Sequence, residues 1–216
     1  MPKPATPRRA PEKDTRTALL NAAMQLMLDE GYAAVTTRKV AAEADVNPAL
    51  VHYHFKTMDD LFLALFRRGA EAHLSRLQEA VDGTQPLRGV WEVISEPRDT
   101  ALTLEFLALA NHRKVIRAEL AEYSARFRRL QEQALDRVLR AHGRTLDKPS
   151  LPTLTVLLAG LPRVLAMDDA VGLHQSRGEI LALIEEYLER YDLPGAPDGP
   201  GADTSSEAAD RVDTDE

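Results

Sequence analysis

The sequence predicts an all-α protein, and three observations carry that prediction. Apolar residues recur at helical spacing through most of the chain. No segment shows clean period-2 alternation bounded by turn residues, the mark of a strand. Capping and stop residues punctuate the periodic stretches at helix-length intervals. With 216 residues, 44% of them apolar, the chain is long enough for one or two domains with a real core.

The first helix is expected from about Glu12 to Glu30, with Leu20, Ala23, Met24 and Met27 on one face and Gly31 as a left-handed stop. Two short helices follow, from about Thr37 to Ala44 and from about Pro48 to Phe55. A long helix starts behind Thr57, whose hydroxyl can cap it, with Asp59 and Asp60 favourably placed in the first turn. It buries Leu61, Phe62, Leu65, Phe66, Leu74 and Leu77 and ends near Val81, ahead of Asp82-Gly83. A short helix near Pro86 carries Trp91, another runs from about Arg98 to Asn111, and a long one from about Lys114 to Ala141 is closed by Gly143. After a loop with Lys148-Pro149, Ser150 can cap a helix reaching about Met167. Ser176 to Glu179 has the form of a capping box that opens a last helix to about Tyr191.

Four segments result: a flexible basic arm over 1–11, a three-helix unit over 12–56, a larger helical unit over 57–192, and a disordered acidic tail over 193–216. The formal charge of −7 is mostly the tail's, which holds seven acidic residues against Arg211, while the first sixteen residues balance at +3. The chain is basic in front and acidic behind, so its overall charge does not argue against a nucleic-acid partner. The absence of cysteine excludes disulfides, thiolate metal sites and a cysteine nucleophile. No apolar run follows the proline-rich N-terminus as a signal-peptide core would. No uninterrupted apolar stretch is expected to span a membrane. The expectation is a soluble cytoplasmic protein.

The segment from Val35 to Phe55 carries the functional signal. Val40, Ala41 and Ala44 give its first helix one apolar face; Val46 sits in the turn; Val51 and Phe55 give the second helix a matching face. Small residues at Ala41 and Ala44 let two helices cross closely. Asn47 is a strong N-cap, and Pro48 fits the first helical position, where its missing N–H costs nothing. The outward residues of the second helix, Pro48, Ala49, Leu50, His52 and Tyr53, include no acidic group, which suits an N-terminal end entering the major groove. Arg38 can reach a guanine edge bidentately. Thr37, Tyr53 and Lys56 suit phosphate contacts. Taken alone, the same hairpin can also pack as part of a plain bundle.

Thr36-Thr37-Arg38-Lys39-Val40-Ala41 through Tyr53-His54-Phe55, followed by Asp59, Asp60 and Leu61, resembles the DNA-binding domain of the TetR/AcrR repressors over roughly residues 12–66. The resemblance implies an all-α homodimer: an N-terminal three-helix DNA-binding domain with a helix-turn-helix, plus a C-terminal helical ligand-binding and dimerisation domain. It implies double-stranded operator DNA and a small-molecule effector as partners, with no membrane and no cofactor. The residues at the DNA would be Thr37, Arg38, Asn47, Pro48, Ala49, Leu50, His52, Tyr53, His54 and Lys56. Asp45 stands where the family usually has glycine, and aspartate tolerates a left-handed backbone. Met58 replaces a common lysine, so that Lys56 can take over its phosphate contact. Leu50 replaces a small hydroxyl residue and either touches a thymine methyl or packs inward.

In the larger unit, the stretch from Leu102 to Leu109 is apolar nearly all round and is expected to be buried on every side. Glu105 and His112 lie seven residues apart on nearly one face. They either hydrogen-bond a ligand in an apolar pocket or make internal contacts, Glu105 with Arg113 or another arginine. Trp91, Phe106, Leu109, Tyr123 and Phe127 either line that pocket or form plain core; the apolar setting favours a lipid-like or aromatic effector. The last two helices carry wide apolar stripes, with Leu154, Leu158, Leu161, Leu165, Ile180, Ile184 and Tyr187 as the candidate dimer interface.

No histidine pair has metal-ligand spacing, and there is no P-loop, no G-x-G-x-x-G after a strand and no G-x-S-x-G, so an enzyme is not expected. The reading is a homodimeric repressor released from its operator by an effector. The alternatives are a helical protein-interaction adaptor and an activator of the same family without an effector.

Overall fold

A computed structural model describes residues 12–143 and 150–192. The basic arm, the loop with Lys148-Pro149 and the acidic tail lie outside the described residues. Among those described, all regular structure is helical: α1 (Glu12–Glu30), a 3-10 turn (Tyr32–Ala34), α2 (Thr37–Glu43), α3 (Pro48–His54), α4 (Met58–Asp82), α5 (Pro86–Ile94), α6 (Pro97–Ala110), α7 (Lys114–Ala141), α8 (Leu151–Ala170) and α9 (Arg177–Tyr191).

The local signals act mostly as read. Thr57 and Asp60 close a full capping box: the Thr57 hydroxyl accepts the Asp60 N–H at 3.1 Å and the Asp60 carboxylate accepts the Thr57 N–H at 2.9 Å. Gly31 stops α1 at φ 81, ψ 164, which is an extended positive-φ conformation rather than a left-handed helical one and is essentially glycine's alone. Two expected caps differ. Ser176 sits at φ −104, ψ 0 and makes no capping bond, so the S-x-x-E pattern forms no box. The Ser150 hydroxyl meets the Thr153 hydroxyl at 3.1 Å in place of a backbone N–H.

At 1.5 Å per residue α4 is about 37 Å long, and it runs through two hydrophobic clusters. Its first half (Leu61, Phe62, Leu65, Phe66) joins Leu19, Leu20, Met27, Val40, Val51 and Phe55 of the N-terminal helices to Phe106, Leu109 and Ile116. Its second half (Leu74, Leu77, Val81) packs with Val90, Ile94, Phe127 and Ala134. The core is therefore shared across the boundary expected at residue 56. Ion pairs rivet α4 to α7 along its exposed side: Arg67 bidentate on Glu119 at 2.7 Å, Arg126 on Glu71 at 2.8 Å, and Arg113, just ahead of α7, on Asp59.

α9 docks by its far end. Asp192, buried at its C-terminus, accepts the N–H groups of Leu87 (3.1 Å) and Arg88 (2.8 Å), and so caps α5 from a distant part of the chain. The Arg88 guanidinium then forks onto Glu185.

Three packing expectations are corrected. α6 is not buried on every side, since Leu107 is 41% exposed. Leu165 is buried within the chain, at 6% exposure, and is not available to a partner. By length and composition α8 does reach membrane-spanning size, with 20 residues and mean hydropathy 1.3. Its apolar run is broken by Arg163, which a window average absorbs.

Candidate nucleic-acid interface and effector cavity

The helix-turn-helix is assembled from short-range bonds. Thr36 caps α2 by accepting the Lys39 N–H, and the turn closes where the Val46 N–H meets the Ala41 carbonyl at 2.9 Å. That turn requires a positive φ at Asp45, and it is 51° there. The Asn47 side chain accepts the Ala49 N–H at 2.8 Å, with Pro48 at the first helical position of α3. Val40, Ala41, Val51 and Phe55 are buried between the helices, and the Arg16 guanidinium covers the Phe55 ring at 5.2 Å. Packing thus fixes which side of α3 faces out.

Arg38, Asn47, Pro48, Ala49, His52, Tyr53 and Lys56 are all exposed, and Tyr53 is 68% so. Leu50 and Thr37 are half-buried. The Thr37 hydroxyl donates to the Met58 sulfur at 3.5 Å, a weak bond that occupies the threonine. His54 separates from the others: it meets Tyr53 edge-on and borders a groove with Arg16, Phe55 and Asp60, on the α1–α4 side. Lys39 is held by Glu30 and ties α2 back to α1.

In the larger unit the candidate ligand residues divide. Phe106, Tyr123 and Phe127 come together around a cavity of two adjoining lobes, about 40 and 30 Å³, between α4, α6, α7 and α8. Trp91 packs beside it on the second cluster, and Leu109 is buried in the first. Glu105 and His112 are elsewhere. The Glu105 carboxylate accepts the Tyr32 N–H at 2.7 Å, and His112 is exposed, stacked at 6.5 Å from the Tyr32 ring. The arginine suggested for Glu105, Arg113, pairs with Asp59 instead.

Sequence reasoning missed the cavity's polar residues His73, Asp99, Thr103 and Arg163. The signals were present. His73 falls on the apolar stripe of α4 between Phe66 and Leu77, and Arg163 is the lone cation inside the apolar run of α8. The Tyr123 hydroxyl lies 2.5 Å from His73 Nδ1. Burial pushes the Tyr123 phenol well above its usual range and the His73 imidazole below its own; Asp99 adds to the first shift and opposes the second. Asp99 is itself paired with Arg76.

On α8, Leu157, Val164 and Met167, with half-buried Gly160 between them and Val171 just past the helix end, recur at three- and four-residue spacing and form an outward stripe; Leu157 is 61% exposed. In the expected stripe Leu165 is buried, Leu154 and Leu161 are half-buried and Leu158 is exposed. Of the α9 candidates, Tyr187 is exposed while Ile180 and Ile184 are half-buried.

Residues 19–65 match the family model for bacterial regulatory proteins of the tetR family. The chain is 28% identical over 185 residues to the HTH-type transcriptional regulator BetI of Rhizobium meliloti, covering 84% of this chain and 80% of that one. It is 31% identical over 88 residues to the HTH-type transcriptional activator FasR of Mycolicibacterium smegmatis, a match limited to 39% of this chain and 40% of that one. A solved structure of a transcriptional regulator from Saccharomonospora viridis, in complex with choline, superposes with TM-score 0.67 at 19% identity. It covers 84% of this chain and 99% of that one.

Proposed function

We propose that this chain, a transcriptional regulator of the TetR family and not an enzyme, binds operator DNA as a homodimeric repressor and is released by a small effector. The observation that carries the reading is the exposed end of α3. Asn47 caps it, Val51 and Phe55 anchor it, and Arg38, Pro48, Ala49, His52 and Tyr53 stand on the surface beside it with no carboxylate on that helix. Such an end enters a major groove, with Arg38 reading a guanine and Thr37, Tyr53 and Lys56 holding phosphates. Thr37 gives up a weak bond to sulfur when it turns to a phosphate oxygen.

Two readers on one near-palindromic site need a dimer. The outward stripe of α8, together with Leu183 and Tyr187 of α9, supplies an apolar face for a symmetric four-helix interface. Its composition favours this over the adaptor reading, because a self-complementary face needs no foreign partner.

The effector site is the cavity between α4, α6, α7 and α8. At about 40 and 30 Å³ it holds little more than a few waters. Any larger effector must part these helices, and α4 carries the displacement to the reader. To act, the effector must bind the two states unequally, and a coupling of about 1–3 kcal/mol is typical. The choline seen in the neighbouring structure makes choline one candidate to test.

The deciding experiment is an electrophoretic shift on an operator mapped by footprinting. Arg38→Ala combined with Tyr53→Phe is expected to abolish the specific shift; unchanged binding would remove the reading. The likeness to FasR favours activation as a second reading, and a promoter–reporter fusion with and without the protein separates the two by the sign of the response.

A further inference from the structure

The cavity between α4, α6, α7 and α8 is short of hydrogen-bond acceptors. Those at its wall are partly engaged. The Asp99 carboxylate is engaged by Arg76, and the Thr103 and Thr100 hydroxyls donate back to the Asp99 and Glu96 carbonyls at 2.8 and 3.1 Å. Two donors lack an adequate acceptor. The Tyr123 hydroxyl sits 2.5 Å from His73 Nδ1, a contact whose donor is set by the imidazole tautomer. With Tyr123 as the donor, the neutral ring carries its proton on Nε2, which is buried; the Val93 backbone acts on the ring but no acceptor stands at hydrogen-bond geometry to Nε2 among the described residues.

Arg163 is the second. Pro162 interrupts the hydrogen-bond ladder of α8 immediately before it. The side chain is half-buried at the cavity wall beside Tyr123, His73 and Phe127. One guanidinium nitrogen donates to the Ala159 carbonyl at 2.9 Å, and no carboxylate among the described residues pairs with it. The charged groups at and around the cavity are then Asp99 and Arg76, which offset each other, and the uncompensated Arg163, with Arg128 adding positive potential behind it. A guanidinium does not neutralise by losing its proton, and a partly desolvated cation without a counter-ion is unfavourable.

We propose that this cavity takes a small monocarboxylic acid with an apolar body, its carboxylate held by Arg163 and by the orphan donor on His73. The apolar body lies against Leu102, Phe66 and Phe106. Gly69 lines the same wall at an exposed position where a Cβ would meet nothing within 4 Å, so this side of the cavity borders open space. The proposal rests on the effector reading above and goes further by fixing the ligand's charge as negative.

The test is calorimetric titration of the full-length protein with phenylacetate, phenylacetamide and choline, alongside operator release by each. Phenylacetate is expected to bind at least about tenfold more tightly than its amide. Arg163→Gln is expected to erase that preference without lowering Tm, because it removes an unpaired charge, and Arg163→Lys to keep part of it. Equal binding of acid and amide overturns the proposal. So does a preference that survives in Arg163→Gln, choline binding without phenylacetate binding, or no phenylacetate binding by about 10 mM. Should Arg163→Gln fail to fold, the wild-type acid-to-amide ratio and Arg163→Lys decide. Choline releasing the operator while phenylacetate does not bind would sink this proposal and keep the effector reading. Phenylacetate binding without release would do the reverse.

Discussion

The carboxylate of Glu105 on α6 accepts the backbone N–H of Tyr32, 73 residues earlier in the chain, at 2.7 Å. Tyr32 begins the turn that leads from α1 into the helix-turn-helix. Beside it, Gly31 holds a conformation in which a Cβ would stand 3.5 Å from a Glu105 oxygen. The next residue of α6, Phe106, lines the cavity together with Leu102 and Thr103. One helix thus touches the cavity on one side and the approach to the helix-turn-helix on another, so that a shift of α6 would reach Tyr32 without passing through α4.

Removing that acceptor leaves the Tyr32 N–H unsatisfied in a half-buried site. Glu105→Ala is expected to cost about 1–3 kcal/mol, which for a chain of this size lowers Tm by several degrees. Glu105→Gln keeps an acceptor and should recover most of the loss. Thermal melts of both variants check this, and an alanine variant melting with the wild type would show that the bond contributes nothing.

Exposed residues around α3 are expected to separate into two kinds by their salt dependence. Lys56→Ala should weaken binding to every DNA sequence alike and reduce the slope of log K against log salt by about 1. Arg38→Ala should cost about 1–3 kcal/mol at a cognate site and little at a random one. Fluorescence anisotropy on cognate and scrambled duplexes over a salt series measures both. Identical behaviour of the two variants would mean that Arg38 reads no base.

What the sequence made legible was whatever short-range chemistry decides. Thr57, Asn47 and Gly31 mark helix ends through atoms within a few residues, and α1, α4 and α7 begin or end where their caps and breakers predict. Long-range partners were not legible. Glu105 has the same neighbours in sequence whether it meets a ligand, an arginine or the Tyr32 N–H, and only the fold distinguishes these. α8 shows the same limit. It is apolar on more than one side, so periodicity alone does not say which stripe faces inward. Leu165 proved internal and Leu157 external because α7 and α6, rather than the local pattern, choose the buried face. His73 and Arg163 give little sign of the cavity in the sequence, because one is a single polar residue on the apolar stripe of α4 and the other a single cation in the apolar run of α8.

The exposed stripe of α8 yields a prediction that leaves the protomer's own packing alone. Leu157 and Val164 both project from the surface, so replacing them with glutamate removes little internal contact. Placed on a symmetric interface, each substitution sets like charges against their own copies. Leu157→Glu with Val164→Glu is expected to elute as a monomer at concentrations where the wild type is a dimer, with Tm changed only through the loss of association. Operator affinity should fall with it, because one reader alone keeps few of the contacts. Analytical ultracentrifugation decides the matter, and an unchanged sedimentation coefficient would place the interface elsewhere.

His73 gives the protein a stability that depends on pH in a definite direction. Its ring packs against Tyr123 and Phe127, and burial holds its pKa below the ordinary imidazole value; Arg76 and Arg163 act the same way, while Asp99 and the Val93 backbone oppose them. The folded chain therefore binds this proton less readily than the unfolded chain does. Stability from the neutral ring is complete above the unfolded pKa of about 6.5 and declines as pH falls below it. The carboxylates of Glu71, Glu119 and Glu185, whose pKa values are lowered by arginine partners, lose their contribution only in the more acidic carboxylate range, so the two effects occupy separate windows. Melting curves between about pH 7.5 and 5.5 should show Tm falling with acidification, and His73→Gln should flatten that part of the curve while leaving the more acidic limb in place. A wild-type Tm that is level across this interval, or a slope that survives in His73→Gln, would mean that another group sets the dependence.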